Sequence, residues 1–245
     1  FFRMYGACVA SNGVSFTINS HGATRCTLLL FKPQAPKPYA RIPFPDSYRI
    51  GDTYSMLVFD IKPDEFEYAF SFDGPYEPAK GLLFNEENVL LDPYSRAVTG
   101  QRKWGEKPEG GKDFEYRARV VKSSFDWGNI KQLEQPFEDL VIYETHVRGY
   151  TKDKSSGVSA PGTFAGLKDK IPYLKDLGIN AVELMPIFEF DEMESARVVD
   201  DVQLYNYWGY NTVSFFAPNT SYAFNEEHNH EGDELKSLIK ALKEN

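Results

Sequence analysis

Cysteine is scarce in this chain: Cys8 and Cys26 are the two in 245 residues. Two cysteines cannot supply the set of several disulfides that holds small secreted domains together. Both fall in segments that we expect to form neighbouring strands, so a bond between them is geometrically possible. Free thiols agree better with the reducing cytosol, and we expect both to be free and partly buried.

Long apolar runs are also missing. No stretch approaches the roughly 20 apolar residues that cross a bilayer as a helix. The opening segment FFRMYGACVA lacks the basic region and apolar stretch of a secretory signal. We therefore expect no membrane partner and a cytoplasmic location. The sequence starts with Phe1 rather than Met, and we expect it to be an excised piece, from which a signal could have been lost.

Basic residues are outnumbered, 27 Lys and Arg against 36 Asp and Glu, for a net charge of −9. This average charge repels a polyanion such as DNA, because nucleic-acid affinity depends largely on neutralising phosphates. We therefore expect no nucleic-acid partner. A neutral polymer such as a glucan is compatible with the composition.

Aromatic residues, in contrast, are abundant at 15%, with 19 Phe and 15 Tyr. One interpretation is a β-rich core, since aromatic side chains favour the pleated surfaces of strands. The other is a sugar-binding surface, because flat rings offer rigid contact area together with a polar group. Composition alone favours the core.

The first hundred residues alternate apolar and polar side chains, with Val14, Phe16 and Ile18 as a clear example. Alternation with a period of two predicts strands with one buried face. Short strands separated by Gly, Pro, Asn and Asp favour an immunoglobulin-like β-sandwich over residues 1–100. The strands are predicted at 13–18, 24–31, 54–61 and 65–72.

Residues 101–138 have a different composition. The segment QRKWGEKPEGGKDFEYRARV is polar and rich in glycine. We interpret residues 101–138 as a linker that packs on its neighbours, with charges that belong to a solvated surface.

From residue 140 the pattern changes to strand, helix, strand, helix, with strands predicted at 140–147 and 179–186. Such alternation predicts parallel βα units. Residues 139–245 hold few such units, whereas a complete (β/α)8 barrel takes about 250 residues. Parallel strands bury their faces only against further strands and helices. We therefore interpret this region as the truncated start of a TIM barrel, incomplete as a folding unit.

Helix ends in this region are marked by capping residues. Thr163 is expected to cap a helix that carries Phe164 on its apolar face. Pro172 lacks an N–H and is expected at the first position of a second helix, which Gly178 would end. Near the end of the sequence, Asp233 is expected to cap a helix whose apolar residues recur at intervals of three and four.

Four segments resemble glycoside hydrolase family 13, the α-amylase family. VIYETHVRGYT resembles the first barrel strand of its isoamylase and bacterial glycogen-debranching members, and NYWGYN the loop after their second strand. The segment FDGPYEPAKGLLF resembles part of the family 48 carbohydrate-binding module that precedes the barrel. The segments occur in family order and at family spacing, which makes the resemblance specific. They are residues 72–98, 141–151, 161–190 and 205–223.

The resemblance implies a hydrolase that cleaves α-1,6-glucosidic branch points of glycogen or starch-type glucans. In the retaining mechanism one carboxylate attacks the sugar and a second carboxylic acid protonates the leaving oxygen. The family places these groups after strands four and five, with a further aspartate after strand seven, and we expect all of them beyond Asn245. We therefore assign no catalytic residue, metal ligand or cofactor, and expect this chain alone to be inactive.

Two alternatives stay open. A branching or trehalose-releasing enzyme of the same family would share much of this pattern, although YETHVRG and NYWGYN favour debranching. A carbohydrate-binding protein without catalysis belongs to a different class, and it describes this chain if the catalytic residues lie outside it. In each case the expected partner is an α-glucan.

The expected sugar-contacting residues lie in the NYWGY segment. The site of a barrel forms at the carboxyl ends of its strands, and by resemblance this loop leaves strand two there. Tyr210 matches the family tyrosine that stacks on the sugar, and Trp208 stands where many amylases have histidine. Tyr207 and Asn206 complete the loop. The alternative is that these rings only fill the barrel mouth.

Several other residues are weaker candidates. His146 and Arg148 are expected on strand one as interior groups satisfied by neighbours, and a direct substrate role is less favoured. Glu144 and Glu183 lie on predicted strands, where a carboxylate is more often paired with a buried basic group than catalytic. Trp104 is a candidate exposed aromatic for the sandwich module.

Metal sites are not expected. His228 and His230 form half a site at most, because no third ligand is apparent. Asp200 and Asp201 lie in an acidic segment that we expect to be solvated, with calcium as the less favoured interpretation.

Overall fold

The computed structural model describes residues 4–99, 103–106, 116–122, 124–225 and 230–245. The chain divides into two compact units. The first consists of Phe1–Gly100 and Lys107–Lys122, and the second of Gln101–Glu106 and Ser123–Asn245.

The first unit is built from antiparallel strands in two main sheets. One sheet is four-stranded, in the order β1-β2-β6-β5, and the other is five-stranded, in the order β10-β11-β7-β3-β4; β8 and β9 form a separate pair. The strands are β1 (Gly6–Ala10), β2 (Gly13–Asn19), β3 (Arg25–Phe31), β4 (Ala40–Pro43), β5 (Arg49–Ile50), β6 (Thr53–Phe59), β7 (Glu67–Asp73), β8 (Tyr76–Glu77), β9 (Leu82–Leu83), β10 (Val98–Thr99) and β11 (Arg117–Arg119).

The two sheets pack face to face over an aromatic core. Phe16 on β2 meets Tyr68 on β7 edge to face, with ring centroids 5.1 Å apart, and Tyr54 on β6 meets Phe72 on β7 at 6.3 Å. Edge-to-face contacts of this kind stabilise beyond the area that they bury. The predicted alternation is thus confirmed, since Val14, Phe16 and Ile18 of β2 all belong to one buried cluster, and the first unit is a β-sandwich.

The two cysteines are free, as predicted. Cys8 lies on β1 and the buried Cys26 on β3, and these strands belong to different sheets. The expectation that they occupy neighbouring strands is therefore wrong.

Part of the segment interpreted as a linker contributes a strand to the sandwich. β11 pairs antiparallel with both β7 and β10, with Ala118 opposite Tyr68 and Val98. Its arginines are buried: Arg117 lies over the ring of Phe31, with the guanidinium carbon 3.9 Å from the ring centre. A polar sequence can form a central strand here because its charged side chains find partners inside the unit.

The second unit contains a parallel strand pair with helices between the strands. Ile142, Tyr143, Glu144 and Thr145 of β12 lie opposite Ala181, Val182, Glu183 and Leu184 of β13, which confirms the predicted parallel pairing. Two antiparallel pairs follow, β14 with β17 and β15 with β16. The elements are β12 (Ile142–Thr145), α1 (Val147–Thr151), α2 (Phe164–Lys168), α3 (Ile171–Asp176), β13 (Ala181–Leu184), β14 (Phe188–Phe190), β15 (Arg197–Val199), β16 (Val202–Leu204), β17 (Thr212–Pro218) and α4 (Glu231–Glu244).

The helix ends agree in part with the capping signals. Thr163 caps α2 by accepting a hydrogen bond from the Gly166 N–H, and Gly178 follows α3 in the left-handed conformation, with φ of 85°. Pro172 is the second residue of α3, one position later than expected. The predicted cap at Asp233 is wrong, because α4 begins at Glu231. Acidic residues are favourable throughout a first helical turn, so they locate a helix start only to within a few residues.

A smaller core joins the helices and strands of the second unit. It contains Phe164 of α2, Phe190 of β14, Leu238 of α4 and the fully buried Tyr222. Among the described residues, no helix combines the length and the hydropathy needed to cross a membrane.

Candidate functional site

The NYWGY segment lies on a long excursion between β14 and β17. These strands pair with Glu189 opposite Ser214 and Phe190 opposite Thr212, which brings the two ends of the excursion together. Asn206 fixes its middle: the backbone N–H donates to the Glu192 carbonyl at 2.9 Å, and the side-chain amide donates to the Asp191 carbonyl at 3.4 Å. Asn206, predicted to bind sugar, is thus placed as an anchor of the loop.

Tyr207 is half-buried and held on several sides. Its ring stacks on His146, with centroids 4.0 Å apart and an interplanar angle of 8°, and it meets Trp104 edge to face at 6.2 Å. A Cβ on Gly149 would lie 2.0 Å from the Tyr207 hydroxyl oxygen. Glycine is therefore required at 149 for Tyr207 to take this place.

Trp208 and Tyr210 point outward. The side chains are 52% and 72% exposed. Gly209 between them has φ of 76°, and a Cβ there would lie 2.5 Å from the Phe190 ring. The loop therefore turns tightly over a buried ring at Gly209 and leaves the two flanking aromatic residues accessible to a ligand.

His146 lies beneath this loop, but not on a strand as predicted. β12 ends at Thr145, and His146 caps α1 by accepting a hydrogen bond from the Gly149 N–H at its Nδ1, at 3.1 Å. Its Nε2 lies 2.8 Å from the Tyr207 carbonyl oxygen and 3.2 Å from the Tyr222 hydroxyl. The ring is buried, and burial lowers the pKa of His146. Sequence patterns missed this role because a histidine that ends a strand and a histidine that caps the following helix look the same in the sequence.

Arg148 and Trp104 complete the wall behind the loop. Arg148 belongs to α1 rather than to a strand, and its guanidinium carbon lies 4.4 Å above the Trp104 ring. Trp104 stacks on Tyr222 with an interplanar angle of 9° and meets Phe190 edge to face. The prediction that Trp104 is an exposed aromatic of the sandwich is wrong, because it is half-buried in the second unit.

Two carboxyl groups close to the loop are buried, although no sequence pattern indicated their burial. Glu192 accepts a hydrogen bond from the Ser221 hydroxyl at 2.6 Å, and Glu189 accepts one from the Thr220 N–H at 3.0 Å. Burial raises the pKa of Glu192 to about 7. Burial, together with the negative charge of Glu192, raises the pKa of Glu189 well above its ordinary value.

The other candidate residues lie elsewhere in the second unit. Glu144 and Glu183 are opposite each other on β12 and β13, and both are exposed rather than paired with a buried base. Asp200 and Asp201 form the exposed turn between β15 and β16, each with positive φ. Within the described ranges, no group of three or more His, Cys, Asp or Glu side chains is arranged to hold a metal.

The remaining histidine motif falls partly outside the described residues. His228 lies in the undescribed range 226–229, and His230 directly precedes α4.

Residues 4–95 match the family model of carbohydrate-binding module 48, the isoamylase N-terminal domain. Over 225 residues the chain is 37% identical to isoamylase 1, chloroplastic, of Oryza sativa subsp. japonica, covering 89% of this chain and 28% of the relative. The glycogen debranching enzyme of Yersinia enterocolitica is 34% identical over 252 residues, 97% of this chain and 36% of the relative. Over most of its own length the chain is thus similar to an isoamylase and to a glycogen debranching enzyme.

Both of these proteins are much longer than the chain, which spans about a third of their length. Among solved structures, a pullulanase from Paenibacillus barengoltzii, in complex with maltohexaose and α-cyclodextrin, matches 100% of this chain and 36% of its own, with a TM-score of 0.77 and 22% identity. At that identity the likeness shows the fold alone. The loop with Trp208 and Tyr210, its anchor Asn206 and the supporting His146 and Tyr207 form the candidate site.

Proposed function

We propose that this chain is part of a glycoside hydrolase that cleaves α-1,6 branch points of glycogen or starch-type glucans. Trp208 and Tyr210 would stack on glucose units at its site. The observation that carries this proposal is their exposure, 52% and 72%, on a loop whose base is fixed. An aromatic ring in water gains by covering its faces, and a sugar can cover them without leaving polar groups unpaired.

The rigidity of the loop supports the same proposal. Tyr207 and Gly209 on either side of Trp208 are packed against His146 and Phe190. A ligand that meets a loop already in place does not have to supply the free energy of ordering it. Rings held in this way suit a repeating polymer, which presents the same face at each unit.

The second unit is proposed as the start of a (β/α)8 barrel, which follows the sandwich in the chain. The parallel pairing of β12 with β13 supports this, as do the helices between them. Ile142 on β12 is 52% exposed, although parallel strands in α/β folds are covered on both faces. Further strands and helices of a longer protein would cover it.

The chemical step is assigned to carboxylates outside this sequence. A retaining glycosidase needs one carboxylate as nucleophile and one carboxylic acid, about 5–5.5 Å apart across the scissile bond. Glu144 and Glu183 are exposed on strands rather than at the ends where a barrel forms its site. The buried Glu189 and Glu192 are closed off from solvent. The cytoplasmic location expected from the sequence also stays a prediction.

The test is glucan binding by this chain and by matched variants. Maltohexaose would be titrated calorimetrically into the unsubstituted protein, Tyr210→Ala, Trp208→Ala and, as a control, Phe137→Ala, whose ring is exposed outside this loop. We expect binding by the unsubstituted protein and the control, and a loss of about tenfold in affinity in each loop variant, which corresponds to about 1.4 kcal/mol.

Two outcomes would contradict the proposal. If Tyr210→Ala and Trp208→Ala bind like the control, the loop does not contact the glucan. If glycogen incubated with this chain releases reducing ends, the assignment of the chemistry to other carboxylates is wrong.

A further inference from the structure

We propose that His146 is a positioning residue, whose neutral imidazole, protonated at Nε2, holds the loop of Trp208 and Tyr210 in its glucan-binding conformation. The inference rests on the proposed function of that loop. His146 itself is buried, with 6% of its surface exposed. It acts through Tyr207, which directly precedes Trp208 in the chain.

The tautomer follows from the two backbone contacts of the ring. The Gly149 N–H can only donate, so the Nδ1 that it meets at 3.1 Å must carry a lone pair. The Tyr207 carbonyl oxygen can only accept, so the Nε2 that lies 2.8 Å away must carry the proton. One neutral tautomer satisfies both contacts. An imidazolium would place a second proton against the Gly149 N–H.

The groups around the ring favour the same state. Burial and, to a smaller extent, the charge of Arg148 on the helix that His146 caps disfavour a positive charge on the imidazole, and they outweigh the opposite effect of the hydrogen bond to Tyr207, so that the pKa of His146 is lowered. Tyr207 and Tyr222 are the titratable groups that face the ring from the other elements, and the Tyr222 hydroxyl oxygen lies 3.2 Å from Nε2. That oxygen has a lone pair available to the Nε2 proton.

The ring joins two parts of the chain that are 61 residues apart. On one side it fixes the first turn of α1. On the other it fixes the carbonyl of Tyr207, stacks on the Tyr207 ring and meets Trp208 edge to face at 6.3 Å. Because the carbonyl of Tyr207 belongs to the peptide unit that leads into Trp208, fixing it sets the direction in which Trp208 leaves the loop.

Two substitutions separate the two contacts. An asparagine side chain ends near the position of Nδ1, so His146→Asn keeps a strong helix cap and loses the bond to Tyr207. A glutamine amide nitrogen reaches about as far as Nε2, so His146→Gln keeps a donor for the Tyr207 carbonyl and weakens the cap. A purely structural cap predicts that Asn is tolerated better, whereas a positioning role predicts that Gln is.

The experiment uses the whole 245-residue chain and three measurements. Imidazole 15N chemical shifts report the tautomer of His146 in the unsubstituted protein. Amide hydrogen exchange reports the order of residues 205–211, and calorimetry reports maltohexaose affinity. We expect the Nε2–H tautomer. In His146→Asn we expect exchange about tenfold faster over 205–211, unchanged exchange in α2, and about tenfold weaker binding. In His146→Gln we expect the exchange rate over 205–211 and the maltohexaose affinity to return to within about threefold of their values in the unsubstituted protein.

Each failure has a separate meaning. An Nδ1–H tautomer, or a His146→Asn protein with unchanged exchange over 205–211, overturns the inference without reference to any ligand. Unsubstituted protein that does not bind maltohexaose overturns the proposed function, and the tautomer and exchange results then still decide whether His146 orders the loop. Equal affinity of the Asn variant and the unsubstituted protein shows that the order of the loop does not matter for binding.

Discussion

The strands of the sandwich and those of the second unit differ in what covers them. In the sandwich, Phe16 and Phe70 lie on facing sheets and are at most 1% exposed. In the second unit, Ile142 on β12 is 52% exposed and Phe215 on β17 is 65% exposed. The sandwich closes its own core, while the second unit presents apolar strand faces to solvent. Stability should therefore reside chiefly in the first unit and ligand-binding surface in the second.

The comparison also explains the high aromatic content. The rings of the sandwich strands contact one another in a buried cluster, as the core interpretation requires. Trp208 and Tyr210 of the NYWGY loop remain accessible, as the surface interpretation requires. Composition could not choose between the two because both apply: the second unit buries Phe190 and Tyr222 in its own core and exposes Trp208 and Tyr210.

The largest expected effect comes from a pair of matched truncations. Phe70→Ala removes a buried ring that contacts Tyr68, Phe72 and Phe44, and should lower the free energy of unfolding of the sandwich by about 3–5 kcal/mol. Phe215→Ala removes an exposed ring and should change the free energy of unfolding by less than about 1 kcal/mol. Urea titrations followed by circular dichroism measure both. Equal losses would mean that the β17 face is packed in solution, and the contrast between the units would fail.

A second prediction concerns buried charge in the sandwich. Arg117 lies 3.5 Å from the Glu67 carboxylate, with both side chains almost fully buried. Arg117→Met should keep the contact with Phe31 but leave Glu67 buried without its arginine, at a cost of about 3–5 kcal/mol.

The double variant is the decisive control. Arg117→Met with Glu67→Met removes both charges and should recover most of the loss, because a buried pair is often replaceable by apolar residues. Lys62→Met, at an exposed pair with Glu65, should leave the urea midpoint unchanged. A double variant no more stable than Arg117→Met would show that the cost arises from packing rather than from the isolated charge.

These residues also mark how far the sequence predicts the fold. The alternation of Val14, Phe16 and Ile18 is local, and it predicted a strand with the correct buried face. β11 was missed because the burial of Arg117 depends on its ion pair with Glu67, which is 50 residues away. No local sequence pattern records such a partner. The same holds for His146, whose second contact lies 61 residues away.

The candidate site was predicted in the same uneven way. The family resemblance pointed to the loop itself, and the exposure of Trp208 and Tyr210 depends on Gly209, which the sequence displays. The burial of Glu189 and Glu192 had no sequence signal, since both lie in a segment rich in acidic residues that would ordinarily be solvated. Local patterns locate elements, whereas burial of polar groups depends on contacts that are distant in sequence.

The buried carboxyls give the second unit a pH dependence. The pKa of Glu192 is about 7 when folded and about 4.3 for an unperturbed glutamate. The folded state thus holds a proton that the unfolded state releases, so stability should fall as pH rises from about 4.3 to about 7 and then level off, by about 4 kcal/mol for this group.

Glu192→Gln should remove this contribution, and the variant should gain over the unsubstituted protein as pH rises through that window. Glu138→Gln, at an exposed position, should follow the unsubstituted protein. Melting temperatures measured at several pH values between about 4 and 8 provide the check. A variant that runs parallel to the unsubstituted protein at every pH would show that Glu192 ionises in the folded state as it does in the unfolded one.

The smallest expected effect tests whether the second unit depends on helix ends where its strand faces are open. The Thr163 hydroxyl accepts from the Gly166 N–H at 3.2 Å and donates to the Ala160 carbonyl at 2.8 Å. Thr163→Ala should lower the free energy of unfolding by about 1 kcal/mol, and Thr163→Ser should restore most of it. Urea titration of the three proteins measures the difference. If Thr163→Ala is as stable as the unsubstituted protein, then the packing of Phe164 and Leu167 in the small core orders α2 without its cap, and the second unit depends on its interior more than the contrast with the sandwich implies.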